Sequence, residues 1–207
     1  MTFSRLLARQ LGNPSRITGK FAAFVWNQRN SALNDVVFDR LTLETTDRVL
    51  EIGFGGGYLL GRISEIVTAG LVAGVDISPA MLAQCEKRFR TQIRAGALEL
   101  KCAPAESLTY PSGYFTKVCS TNSIFYWQDI ERAMSEIVRV LRPGGNVVLC
   151  FTNKNSLAKK SFAENIRLVE ADEIQALMAA TDIQQISTNR SSDQYRDFIC
   201  ITGKKSP

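Results

Sequence analysis

The chain has 207 residues, 45% hydrophobic and 22% charged, with 25 Lys and Arg against 20 Asp and Glu. That is the balance of a globular protein large enough to bury one real core, and no apolar run approaches the ~18 residues of a transmembrane helix. The formal net charge of +5 permits an acidic partner without requiring one, and the absence of histidine removes the commonest general base.

The first 34 residues contain no acid, while Arg5, Arg9, Arg16, Lys20 and Arg29 are basic. Three readings stand for this stretch: an organelle transit segment, a basic amphipathic helix touching a membrane or delivering an apolar substrate, or a solvated helix face. After the break at Gly12-Asn13-Pro14, residues 18–43 predict one longer helix. Phe21, Phe24, Val25, Leu33, Val36, Val37 and Leu41 recur every three or four positions along it. Trp26, Asn27 and Asn30 either line a binding site or pack that helix onto the core.

Residues 49–60, VLEIGFGGGYLL, are the stretch on which the rest depends. Val49, Leu50 and Ile52 read as a strand buried on both faces. Gly53, Gly55, Gly56 and Gly57 follow, where the backbone can turn sharply and bring its N–H groups close to a ligand. Leu60, Ile63, Ile66 and Val67 then continue at helix spacing. A dinucleotide fingerprint needs a third glycine three positions after the second, and those positions hold Tyr58 or Leu60. A P-loop fails because no Gly-Lys-Ser/Thr closes the turn. What remains is acidic-x-G-x-G-x-G, with Glu51 placed to suit a ligand that carries an ammonium group.

A second strand, residues 71–77, ends at Asp76, where a carboxylate can accept two hydrogen bonds from a ribose diol. Ser78 and Pro79 predict a helix N-cap and first position. The third strand, 98–102, leads into Ala103-Pro104-Ala105-Glu106, and the fourth, 117–121, into Asn122-Ser123-Ile124-Phe125-Tyr126-Trp127. Asp129 can cap a helix whose buried stripe is Ile130, Ala133, Met134, Ile137, Val138 and Leu141. Arg142-Pro143-Gly144-Gly145 stops it before a fifth strand at 147–151. Residues 152–170 read as a short lid or a solvated connection, and 171–180 as a helix. Strands at about 183–188 and 195–202 close the chain, with Asn189–Asp193 as their turn. The five cysteines are odd in number and never spaced C-x-x-C, so they read as reduced thiols of a cytoplasmic protein, mostly small core residues.

The glycine motif, Asp76 and the RVLRPGG run together resemble the class I S-adenosylmethionine-dependent methyltransferases, strongly over about 45–151. The small-molecule type that includes the quinone-biosynthesis C-methyltransferases is the most similar. That resemblance implies an α/β fold: a Rossmann-like, mostly parallel seven-stranded sheet with helices on both faces and an antiparallel last strand. It implies one domain over 1–207, with a helical cap at 1–44 over the acceptor pocket and a core at 45–207. S-adenosyl-L-methionine would be the donor and S-adenosyl-L-homocysteine the product. The implied donor-binding residues are Glu51, Gly53, Gly55, Gly57, Asp76, Ile77, Met81, Ala105, Glu106 and Asn122, and no metal is expected.

Many members carry Asp where this chain has Thr116. The N/D-P-P-Y/F motif of base N-methylation and the Pro-Cys pair of pyrimidine C5 methylation are both absent, which argues against a nucleic-acid substrate. The expected reaction is in-line displacement onto a small, apolar or aromatic acceptor, with Tyr126 and Asn122 as acceptor-side catalytic groups. Tyr126, Asp129 or Glu106 would serve if a base is needed. A non-catalytic binding module and an RNA methyltransferase are the alternatives.

Overall fold

The computed structural model describes residues 30–159 and 163–207. The expectations for Trp26, Asn27 and the basic amino-terminal stretch lie outside these residues. Of the helix expected over 18–43, the described part is α1, Ser31–Leu41. It buries Leu33, Val37 and Leu41 and ends where Thr42 turns left-handed at φ +45°.

Seven strands form one sheet: β1 (Arg48–Ile52), β2 (Leu71–Asp76), β3 (Leu98–Cys102), β4 (Phe115–Thr121), β5 (Leu141–Thr152), β6 (Ile183–Ser192) and β7 (Asp197–Lys205). Their order is β3-β2-β1-β4-β5-β7-β6. The first five are parallel, while β7 runs antiparallel to both β5 and β6. The helices are α2 (Tyr58–Ile66), α3 (Pro79–Arg88), α4 (Arg90–Arg94), α5 (Ile130–Val140), α6 (Lys154–Ala158) and α7 (Ala171–Ala179), seven with α1 among the described residues. This is the Rossmann-like sheet expected. The chain runs outward from β1 through β3 and returns to β1's other side with β4, so a crevice opens at the carboxyl ends of β1 and β4.

Local chemistry explains the elements. Every residue of β4 is buried, as a central strand requires. Ser78 caps α3 by accepting from the Met81 N–H, with Pro79 at the first position, and Asp129 caps α5 by accepting from the Arg132 N–H. α5 buries Ile130, Ala133, Met134, Ile137 and Val138 on one stripe. Thr116 donates its hydroxyl proton to Asp47 Oδ1 (2.7 Å) and accepts from the Arg48 N–H (3.0 Å). Lys117 Nζ pairs the other Asp47 oxygen at 3.2 Å. Asp47 thus supplies from the loop before β1 a carboxylate beside β4.

Three boundaries differ from expectation, the first being that β5 begins at Leu141, which pairs with Phe115, so that Leu141 lies outside α5 and Arg142–Gly145 lie within the strand. Asn189–Ser192 continue β6, pairing with Cys200 through Asp197, and the turn falls at 193–196. There Asp193 Oδ1 accepts from the N–H groups of Tyr195 (2.7 Å) and Arg196 (2.9 Å), an Asx turn. β6 is an edge strand with solvated side chains, so its polar residues do not interrupt it. The segment after β5 holds α6, capped by Asn153, and a short 3-10 turn at Ala163–Asn165. Among the described residues no helix is long and apolar enough to cross a membrane.

Candidate functional site

The glycine loop after β1 uses its glycines differently. Gly53 sits at φ +78° and donates its N–H to Val75 O at 2.7 Å. A Cβ there would stand 2.3 Å from the Ser123 Cβ. Gly57, at φ +72°, begins α2, and a Cβ on it would meet the Phe89 ring at 2.6 Å and Cys85 Sγ at 2.9 Å. Gly55, at φ +49°, faces open space: nothing lies within 4 Å of the position its Cβ would take. Two glycines therefore let the loop pack on the protein, and the one between them leaves a cradle. From behind, α3 braces the loop, as Arg88 Nη1 donates to Gly56 O (2.9 Å) and Cys85 Sγ to Gly55 O (3.4 Å).

Two carboxylates stand at this loop. Asp76, at the end of β2, accepts from the Gly55 N–H at 2.8 Å with one oxygen and from the Ser78 N–H at 2.9 Å with the other. Each of its oxygens keeps lone-pair capacity. Glu51 is fully buried in β1, and its Oε2 has no hydrogen-bond partner. Burial pushes the Glu51 carboxyl well above the usual range, the nearby Asp76 pushes it further, and the Leu60 N–H pulls back. Asp76 is raised too, by burial, against the N–H groups of Ser78 and Gly55. Two neighbouring acids both held toward neutrality mark a place short of positive charge, which a cationic ligand would supply.

The other expected residues divide. Ile77 follows Asp76 and is 42% exposed, as are Ile66 and Tyr195 to similar degrees, so an apolar face beside Asp76 is open to a ligand. Met81 is packed into the core with Cys85 and Phe89, and Ala105 is buried. Glu106 turns away toward α5: its Oε1 accepts from the N–H groups of Gln128 (2.5 Å) and Asp129 (3.1 Å), tying its loop to the start of that helix. We expect Glu106→Ala to cost about 1–2 kcal/mol, the worth of charge-assisted hydrogen bonds at a partly exposed site. A fall in Tm of about 2–6 °C in a thermal melt would register it.

Asn122 follows β4 in the left-handed region, φ +53°. Its amide is committed to neighbours: Oδ1 accepts from Thr152 N (2.8 Å) and Thr152 Oγ1 (3.1 Å), and Nδ2 donates to Asn30 Oδ1 (2.9 Å). Arg196 Nη1 joins them, donating to Asn30 Oδ1 (3.1 Å) and Thr152 Oγ1 (3.3 Å). Sequence reading gave no place to Thr152 or Arg196, because four distant segments meet here and no local spacing announces it. Phe125 and Trp127 are core residues, while Tyr126 between them is half-buried, its phenol pushed upward by burial. It is a neutral hydroxyl at pH 7, not a phenolate.

A methyltransferase domain model matches residues 50–149, from within β1 to within β5. The chain carries a methyltransferase domain, and the proteins it matches are S-adenosylmethionine-dependent methyltransferases. It is 27% identical over 188 residues to the uncharacterized methyltransferase YdaC of Bacillus subtilis, covering 89% of this chain and 97% of that protein. The methyltransferase is also 31% identical over 145 residues to the ubiquinone/menaquinone biosynthesis C-methyltransferase UbiE of Pseudomonas fluorescens, covering 63% of this chain and 57% of that one. It thus spans little more than half the length of that relative. In fold it is similar to the Haemonchus contortus phosphoethanolamine N-methyltransferase 2 (TM-score 0.78, 16% identity, 100% of this chain and 61% of that one).

The residues present fit the family's methyl donor. An open cradle at Gly55, a buried carboxylate oxygen without a partner on Glu51, lone pairs left on Asp76 and an exposed Ile77 provide for a cationic amino acid end, a ribose and a flat base.

Proposed function

We propose that this methyltransferase moves a methyl group from S-adenosylmethionine to a small, apolar or aromatic acceptor that readily gives up a proton. Glu51 and the glycine loop would hold the amino acid end of the donor, Asp76 the ribose, and Ile77 the base. The donor supplies a methyl already activated on a sulfonium. The chain's residues then have chiefly to align, exclude water and leave the acceptor nucleophile facing that carbon.

The observation that supports the acceptor class is that each candidate base is either a neutral phenol or a carboxylate already engaged with backbone N–H groups. Tyr126 is held as a neutral phenol, Asp129 Oδ1 caps α5, and Glu106 Oε1 accepts two backbone N–H groups. With no histidine in the chain, an acceptor that ionises easily suits the site, such as a phenol or an activated ring carbon. Tyr126 would contribute a hydrogen bond and an apolar ring face to it. The matched UbiE relative, a quinone-biosynthesis C-methyltransferase by name, agrees with this class.

Transfer of labelled methyl from S-adenosylmethionine to a panel of alkylated hydroquinones and phenols, with bulk transfer RNA alongside, tests the reading. Label on a phenolic acceptor is expected. Label in the RNA alone, or in nothing while the donor binds, would overturn it. Tyr126→Phe should lower kcat by about 10-fold, the loss of one hydrogen bond in the transition state.

A further inference from the structure

Asn122 and three partners form a closed ring of four: Asn122 to Thr152, Thr152 to Arg196, Arg196 to Asn30, and Asn30 back to Asn122. They come from the residue before α1, the end of β4, the end of β5 and the turn before β7. The partners are 30, 44, 166 and 92 positions apart in the chain. The guanidinium at its centre is on a side chain only 7% exposed. The Asx turn at Asp193 delivers Arg196 to this place.

The ring abuts the glycine loop through one residue. Ser123, next to Asn122, donates its hydroxyl proton to Ile52 O (3.1 Å), and its Cβ packs on the bare Cα of Gly53. Asn122 itself is in the left-handed region, which asparagine adopts more readily than other side-chain-bearing residues, and its N–H donates to Cys150 O at 2.8 Å. Any shift of the glycine loop reaches Ser123, then Asn122, then the amide that grips Asn30. On the far side, Asn30 O accepts from the Asn34 N–H (2.9 Å), the first hydrogen bond at the start of α1.

We propose that Arg196 and Asn122 are positioning residues that couple occupation of the glycine loop to docking of the amino end of α1. Donor or product in the cradle tightens the ring and fixes α1 over the carboxyl ends of β4 and β5. An empty cradle loosens it. Coupling of this kind is reciprocal: a ring that favours the occupied loop must itself raise affinity for the ligand by the same factor. Neither residue touches the reacting atoms in this scheme. The proposal rests on the donor-binding reading above.

Hydrogen exchange of the protein's backbone amides, read with and without saturating S-adenosylhomocysteine, tests it, with calorimetry of the same ligand run beside it. In the wild type, the ligand should slow exchange at Asn34 and its neighbours in α1 by at least about fivefold, the low end of typical coupling. Arg196→Ala should abolish this ligand-dependent increment and weaken S-adenosylhomocysteine by the same factor, whereas a merely structural ring would raise exchange equally with and without ligand. Asn30→Ala, which leaves the contacts among β4, β5 and β7 in place, should give the same loss if Arg196→Ala proves too unstable to measure. Binding without protection of α1 in the wild type, or protection retained in both variants, would overturn the coupling alone. No binding of S-adenosylhomocysteine to folded protein would overturn the donor site as well.

Discussion

Gly55→Ala should fold and bind S-adenosylmethionine far more weakly, whereas Gly53→Ala should be severely destabilised. Both glycines are left-handed, at φ +49° and +78°, so each substitution carries about 1–2 kcal/mol of backbone strain. The difference lies in what the new methyl meets. At Gly55 it meets nothing within 4 Å, and its cost stays near the strain alone, a Tm lower by about 2–6 °C. At Gly53 it would stand 2.3 Å from the Ser123 Cβ, while the Gly53 N–H is tied to Val75 O and the Ser123 hydroxyl to Ile52 O. Overpacking there adds about 1–3 kcal/mol, and the sum approaches the whole stability of an ordinary domain. Calorimetry on Gly55→Ala should show affinity for the donor reduced on the order of 100-fold, because the methyl fills the cradle. Tight donor binding by that variant would mean the open side of the loop is not where the ligand lies.

Glu51→Gln should stabilise the ligand-free protein above about pH 4 and weaken the donor. The Glu51 carboxyl is pushed well above its unfolded value, first by burial and then by Asp76. A folded-state pKa that exceeds the unfolded value of about 4.3 means the native state holds its proton more tightly. The associated stability is complete below the unfolded pKa and is lost as pH rises through the folded one. Glutamine keeps the size and the hydrogen-bonding capacity without that loss, so the Tm advantage of the variant should grow from about pH 4 upward and then level off. Melts across pH 4–8 would read this directly, and an advantage that is flat with pH would contradict it. The same carboxylate is the charge partner available to the donor's ammonium. Its removal should weaken S-adenosylmethionine by about 10- to 100-fold, the worth of one charge-assisted hydrogen bond. Wild-type binding should also release protons, since a cation draws Glu51 toward its charged form.

Much of this molecule could be read without coordinates, for reasons that are themselves physical. Buried parallel strands betray themselves as apolar runs, and β1, β2, β4 and β5 were placed that way. The caps Ser78 and Asp129 are local chemistry, complete within a few residues. Gly53, Gly55 and Gly57 were legible as a ligand turn, although their spacing could not tell which of them faces protein and which faces open space. The edge was harder. Asn189–Ser192 look like a turn because polar residues serve both turns and solvated edge strands, and only pairing with Asp197–Cys200 decides between them.

Side-chain partnerships were the least legible. Glu106 has the position of a donor contact but braces α5, a choice made by backbone N–H groups 22 and 23 positions away. Asn122 was expected to face the acceptor, and the structure instead commits its amide to Thr152 and Asn30. Arg196 drew no attention in the sequence because its neighbours are a polar turn and its partners are remote. Long-range closure of this sort leaves no periodicity to find.

The most direct measurement is a calorimetric titration of the purified protein with S-adenosylmethionine, with NAD as control, repeated on Asp76→Ala. Binding of the methyl donor alone, lost in the variant, is the predicted result and places the ligand on the glycine loop and Asp76. Folded protein that gives no heat with S-adenosylmethionine, or that binds it unchanged without the Asp76 carboxylate, would contradict the site described.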